Sequence, residues 1–156
     1  MDRFNQIVEG VRIRFPEYLL HVEEEAPIPV LRVDRRRVVP SLSFLCEAFS
    51  FESLMCETAS DRGEVFVMIY HLFSTRNRMK LVVKTELPRE DPVVETAEEI
   101  WRAANWYERE IYDLFGIEFI GHSDLTRILL PPDWEGHPLR KDYRPAPEYH
   151  GMKIEW

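Results

Sequence analysis

Three strand-like runs in the first half of the chain, Leu54 to Thr58, Val65 to Ser74 and Met79 to Lys84, are separated by links too short to hold anything but turns. Asp61-Arg62-Gly63 joins the first two at hairpin length, and Thr75 to Arg78 joins the second pair. A parallel crossover needs a dozen or more connecting residues, so these runs are expected to lie side by side as an antiparallel meander. Such a meander has one face to bury, and the flanking segments supply the cover. Phe4, Ile7, Val8 and Val11 recur at helical spacing and stop before Pro16. Tyr18 to Val22 and Val30 to Val33 read as brief strands on either side of Pro27 and Pro29. Asp34 is placed to cap a second helix with Val38, Leu42, Leu45 and Phe49 on its apolar face and Pro40 in its first turn, where no N–H is missed.

Leu87 to Pro92 reads as a charged connector. A third helix is expected from a Thr96 cap to about Phe115, ended by Gly116, with Ile117 to Ile120 as a short strand after it. Its apolar stripe is Ile100, Ala104, Tyr107, Ile111 and Leu114, with Trp101, Glu108, Tyr112 and Phe115 on a neighbouring stripe. The fold class expected is therefore α+β: an antiparallel or mixed sheet with helices on one face, a two-layer sandwich. From Gly121 onward prolines accumulate (Pro131, Pro132, Pro138, Pro145, Pro147) and apolar periodicity fades. The division expected is a body over 1–120 and an extended C-terminal arm over 121–156.

Charge and motif content exclude several functions. With 20 basic against 28 acidic residues and a net charge of −8, the chain lacks the positive field that nucleic acid requires. The Arg35-Arg36-Arg37 triplet follows acidic Glu23-Glu24-Glu25 and reads as the solvated start of a helix. Two cysteines, Cys46 and Cys56, are too few for a disulfide scaffold, a four-cysteine zinc site or an iron–sulfur cluster, and both are expected as buried thiols. The longest apolar run, Val65 to Phe73, is far short of the ~20 residues that span a bilayer. No export signal is recognised at the N-terminus, which points to the cytoplasmic side. No GxSxG, HExxH or glycine-rich phosphate loop occurs.

Two segments carry a resemblance. Glu108-Arg109-Glu110-Ile111-Tyr112-Asp113-Leu114-Phe115-Gly116, then His122-Ser123-Asp124-Leu125 and Arg127-Ile128-Leu129-Leu130-Pro131, are similar to the signature of the C subunit of complex I. This family is also called the 30 kDa subunit of respiratory NADH dehydrogenase. Trp134-Glu135-Gly136-His137-Pro138-Leu139-Arg140-Lys141-Asp142-Tyr143 resembles its second hallmark. The chain departs from the pattern at Ser123, where proline is common, and at Thr126, where a basic residue or proline is usual. The resemblance implies a peripheral, cofactor-free structural subunit on the cytoplasmic side of the inner (plasma) membrane. It implies packing against the quinone-site (49 kDa-type) and cluster-bearing subunits, with NADH, FMN, iron–sulfur clusters and quinone held by those partners. Related membrane-bound hydrogenases or ferredoxin-dependent complexes contain similar chains.

On that reading the partner-facing set is Glu108, Arg109, Glu110, Asp113, His122, Arg127, Trp134, Gly136, His137, Pro138, Leu139, Arg140, Lys141, Asp142 and Tyr143. The carboxylates are expected to pair with Arg109, Arg127 and the 140–142 triplet, locking the arm onto the helix or onto a partner. The aromatics of the arm, Trp134, Tyr143, Tyr149 and Trp156, are expected at an interface, because no local core can absorb them. A competing reading takes Glu108, Asp113 and His122 as the ligands of a stand-alone metal-dependent hydrolase. Residues 108 and 113 are five apart on a helix, a spacing that separates rather than converges side chains.

Overall fold

The structure, a computed structural model, describes residues 3–154, so Trp156 lies outside the described residues. The chain runs α1 (Arg3–Arg14), β1 (Leu19–Glu23), β2 (Val30–Val33), a 3-10 turn (Arg35–Arg37), α2 (Val38–Phe49), β3 (Ser53–Asp61), β4 (Val65–Ser74) and β5 (Met79–Pro88). It continues through β6 (Val93–Glu95), α3 (Ala104–Phe115), β7 (Glu118–Ile120), β8 (Glu148–Tyr149) and β9 (Met152–Lys153). The meander forms as expected, β3–β4–β5 antiparallel, with β2 added parallel to β5 and β1 antiparallel to β2. The result is a five-stranded mixed sheet in the order β1-β2-β5-β4-β3.

One face of this sheet makes the core. Leu31 and Val33, Leu54 and Ala59, Phe66, Met68, Tyr70 and Leu72, and Leu81, Val83 and Leu87 are buried with the inner sides of the helices. Phe4, Ile7, Val8 and Val11 of α1, and Val38, Leu42 and Leu45 of α2, are the residues the helical spacing selected. Asp34 caps the 3-10 turn, not α2 itself: its carboxylate accepts from Arg36 N at 2.9 Å, and the arginine triplet leads into the helix. Gly10 lets α1 approach α2, since a Cβ there would stand 2.7 Å from the Phe49 ring. Cys46 and Cys56 are free, and both are half-buried, less enclosed than expected.

Three boundaries move, the first being that of β3, which runs on past Thr58 to Asp61 and takes in the start of the expected link. The fifth strand runs on to Pro88, because Thr85 and Leu87 continue the inward alternation that Lys84 and Glu86 flank. Pro88 is tolerated at the strand end, where it breaks no interior ladder. The third helix begins at Ala104 and not at Thr96. The amide of Ala97 donates to Glu108 at 2.7 Å, whereas an uninterrupted helix would hold the two residues about 16 Å apart at ~1.5 Å per residue. The 97–103 segment therefore folds back in successive turns, and Thr96 caps its own turn by accepting from Glu98 N at 3.1 Å.

β6 and β7 pair in parallel on either side of α3 in sequence, forming a second small sheet. No helix among the described residues is long and apolar enough to cross a membrane. Leu45 is fully enclosed on α2, whereas Leu20 on the edge strand is 63% exposed. Leu45→Ala is expected to cost about 2–5 kcal/mol and Leu20→Ala less than about 0.5 kcal/mol, measured by urea unfolding.

Candidate functional site: the end of the third helix and the segment that closes it

The last four carbonyls of an α-helix have no partner within it. In α3 these belong to Tyr112, Asp113, Leu114 and Phe115, and each is met by the residues that follow. Gly116 N donates to Tyr112 O at 2.9 Å. Asp113 O accepts from Arg127 Nη1 at 3.0 Å and from His137 Nδ1 at 2.9 Å, which places a proton on that ring nitrogen. Leu139 N donates to Leu114 O at 2.9 Å, and Arg140 Nη1 reaches Phe115 O at 3.4 Å. Two arginines at this end also oppose the negative pole of the helix dipole. Gly116 is required twice over. Its φ is +72°, and a Cβ would stand 2.6 Å from the His137 ring.

The Asp113 side chain is the centre of this closure. It has no exposed surface, and its Oδ2 accepts from three successive amides, Ile128 (3.1 Å), Leu129 (2.7 Å) and Leu130 (2.9 Å). Its Oδ1 pairs with Arg127 at 2.7 Å. Arg127 Nη2 then donates to the carbonyls of Trp134 and Gly136, both at 2.8 Å. Burial alone would raise the Asp113 carboxyl; the guanidinium and the three amides overcome it and hold the group below the ordinary aspartate range. A second anchor works alike. Asp61, at the end of β3, accepts from Arg89 and Gly63 N on one oxygen and from Lys141 N on the other, each at 2.8 Å. Arg89 also pairs with Asp142 at 2.7 Å, and the guanidinium groups of Arg89 and Arg140 both lie 5.1 Å from the Phe66 ring centre. Burial opposes ionisation of Asp61 too, and the same kind of donors keep it well below its usual range.

The expected site residues separate into distinct groups. Arg109 donates to the carbonyls of Thr126 (3.0 Å) and Arg127 (3.0 Å) and to the Thr126 hydroxyl, so one of the two departures from the family pattern is a polar contact. The other, Ser123, donates to Glu98 through both its amide (3.0 Å) and its hydroxyl (2.6 Å). Trp134 donates to the Tyr143 hydroxyl at 3.2 Å, and Gly136 lies against the Tyr143 ring. Pro138 is half-buried, while Glu110, Gly136, Leu139, Lys141 and Asp142 are exposed.

Three residues expected to face a partner are corrected, one of them His122, whose side chain is wholly enclosed beside Glu108. Glu108 and Asp113 are both 0% exposed and bind groups of their own chain. Glu108 pairs with none of the expected arginines; Thr96 Oγ1 and Ala97 N donate to it instead. It reaches the inside because the enclosed side of α3 is Ala104, Glu108, Ile111 and Phe115, which mixes the two stripes read from sequence. Tyr107 and Leu114, assigned to the inner stripe, are only half-buried.

The metal-ligand reading loses its geometry for the same reason. His122 comes within 3.8 Å of Glu108, but Asp113 is committed to Arg127 and the three amides. Both ring nitrogens of His122 are engaged, Nε2 donating to Asn105 O and Nδ1 accepting from Asp124 N, each at 3.0 Å. Among the described residues no three His, Cys, Asp or Glu side chains converge on a point that could hold an ion.

Asp113→Ala leaves Arg127 buried beside helix carbonyls without its counter-charge and frees three amides. The expected loss is about 3–5 kcal/mol in urea unfolding. Because the native Asp113 carboxyl lies below its unfolded value, its contribution is fully present above about pH 4 and is lost as pH falls below that. The variant should therefore show a shallower acid limb than the natural chain, and an unchanged limb would remove Asp113 from this role.

Comparison with known proteins shows the family. Residues 31–149 match the family described as respiratory-chain NADH dehydrogenase, 30 Kd subunit. The C subunit of the NADH-quinone oxidoreductase of Trichlorobacter lovleyi is 39% identical over 143 residues, covering 89% of this chain and 88% of that one. The C/D subunit of the NADH-quinone oxidoreductase of Ectopseudomonas mendocina is 56% identical over 78 residues, which is 50% of this chain and 13% of that one. A chain in the structure of the membrane-bound sulfane sulfur reductase, an archaeal respiratory membrane complex, superposes with a TM-score of 0.77 at 25% identity, covering 92% of this chain and 86% of that one. With a match across most of its length and a near-full-length relative, the chain belongs to the 30 kDa subunit family of the respiratory-chain NADH dehydrogenase.

Proposed function

We propose that this chain is a cofactor-free structural subunit of the peripheral arm of an NADH:quinone oxidoreductase. On this reading it packs against the quinone-site and iron–sulfur subunits on the cytoplasmic side of the membrane. The observation that carries the proposal is a division of labour around α3. Buried Asp113 and half-buried Arg127 and His137 spend their hydrogen bonds on closing the chain on itself. Large apolar side chains stand exposed on the helix and the segment that closes it: Trp106 (70%), Leu129 (62%) and Leu139 (52%). An exposed Trp is the kind of side chain that carries binding energy, and charges around it such as Glu110 and Lys141 suit a polar rim.

The C/D relative supports the choice of partner. The matching half of this chain corresponds to 13% of its length, and its name joins C to D, so the part beyond the C portion is the natural candidate for the neighbouring quinone-site subunit. A cofactor-free role is supported by the ligand chemistry. His122 uses both ring nitrogens and His137 its Nδ1 within the chain, and Cys46 and Cys56 stand on different elements, α2 and β3. The likeness to a chain of a sulfane sulfur reductase complex favours a second reading of the donor, in which the same scaffold serves a complex fed by a carrier other than NADH.

Affinity capture of tagged chain from native membranes, followed by mass spectrometry, tests the scaffold role. Recovery of the quinone-site and iron–sulfur subunits is expected. The Trp106→Ala, Leu139→Ala double variant should lose at least about tenfold of that recovery, the effect of ~1.4 kcal/mol or more at an interface, with its melting temperature unchanged. Recovery of the natural chain alone under gentle conditions would sink the proposal, and undiminished recovery with the double variant would move the docking face elsewhere.

A further inference from the structure

One buried cluster plays no part in closing α3. Glu57 lies in the middle of β3 on the core face and is 3% exposed, and neither of its carboxyl oxygens has a hydrogen-bond partner. Directly opposite it in the ladder stands Tyr70 of β4, wholly buried, its hydroxyl also unpartnered. α3 packs over this end of β3, where the Tyr107 hydroxyl donates to Met55 O at 3.1 Å, and it carries Glu108 to the same dry layer. Two carboxyl groups are thus enclosed between one strand and one helix. Among the described residues no lysine or arginine lies within ion-pair distance of either.

The groups facing the pair come from each packed element. Tyr70 faces it from β4. Thr96, the Ala97 amide and Glu98 belong to the turns before α3, and His122 approaches Glu108 from the segment after β7. None of these carries a fixed positive charge. Two ionised carboxylates in such a place would repel each other without compensation, so one must keep its proton. The hydrogen bonds say which. Glu108 receives two donors, Thr96 Oγ1 and Ala97 N, the surroundings of a carboxylate. Glu57 receives none, the surroundings of a neutral acid.

We propose that Glu57 and Glu108 form a proton-binding site between β3 and α3, and that the folded chain carries a proton on Glu57. The ligand is the proton itself, and the site couples its binding to the seating of α3, whose far end holds the segment from Arg127 to Leu139. Burial, and then the charge of Glu108, push Glu57 well above the ordinary glutamate range, and burial raises Glu108 to about 7. A carboxyl raised in the folded state binds more protons there than in the unfolded chain. Its stabilising effect is therefore present below about pH 4.5 and is lost as pH rises through neutrality. Asp61, Glu98 and Asp113 are shifted the other way and complete their titration below this window.

The test is a pH titration of the chain carrying carbon-13 in its glutamate carboxyl groups, followed by NMR, together with urea unfolding of the natural chain and Glu57→Gln. At least one glutamate carbon should titrate well above the others and vanish in Glu57→Gln. The urea midpoint of the natural chain should fall between about pH 5 and pH 8, and that of Glu57→Gln should fall less steeply, by the share that Glu108 alone contributes. If every glutamate carbon of the natural chain titrates in the ordinary range, the proposal is overturned, whether or not the variant folds. Survival in folded Glu57→Gln of every raised signal and of the full pH slope would overturn it equally.

Discussion

A helix that ends against its own protein must have its last carbonyls answered, and in this chain the answer comes from residues 116–140. That requirement fixes the path of everything after α3. Gly116 turns the chain, Arg127 returns to Asp113, His137 and Leu139 supply donors to the next carbonyls, and Arg140 completes the set. The segment that looks like an arm in composition is, over this stretch, the C-terminal cap of a helix. Its prolines and glycines serve this geometry, since a chain that must donate amides at chosen points and avoid them elsewhere cannot run as a regular strand.

The charged groups follow one rule with two outcomes. A carboxyl taken from water is stable either with donors enough to satisfy its charge or without the charge. Asp113 and Asp61 take the first course, each with a guanidinium and backbone amides gathered round it. Glu57 has no donor and must take the second, and Glu108 stands between them. The two aspartates lie where the C-terminal segment meets the body, so ionisation favours closure there. The glutamates lie beneath α3, where ionisation opposes it. The same helix is consequently held by ionised groups at one end, while along its inner face it covers a carboxyl of β3 that has no donor.

Much of this is legible in the residues alone. The meander, the helices of the first half and the stop at Gly116 rest on short-range chemistry, namely turn length, apolar period and a glycine at positive φ, and these are written locally. Pairing of Asp113 with Arg127 also follows from the expected exchange of charge between the helix and the following segment. Sequence and structure part where distant residues make contact. Thr96 has every mark of a helix cap, yet it is diverted by Glu108, twelve residues on. Glu57 escapes notice in the sequence because strict alternation from Leu54 would aim it outward. The register slips between Leu54 and Cys56, and this bulge turns Glu57 to the inside. Nothing in the local sequence announces the slip; Cys56 and Thr58 are as acceptable in a core as on a surface.

The distribution of what remains exposed gives the arrangement its sense as a part of something larger. A small chain that spends its arginines and amides on internal closure has few polar groups with which to address a neighbour near α3. What it presents there is Trp106, Leu129 and Leu139, each more than half exposed. Leu129 is held in place by its own amide bond to Asp113, and Leu139 by its amide bond to Leu114. Each exposed leucine therefore sits on a backbone pinned to the helix end. A docking face built this way is preorganised: ordering of the segment is completed within the chain, so association meets a smaller entropic opposition. On the proposed function, the contacts that close the helix and the surface offered to a partner are two sides of the same few residues.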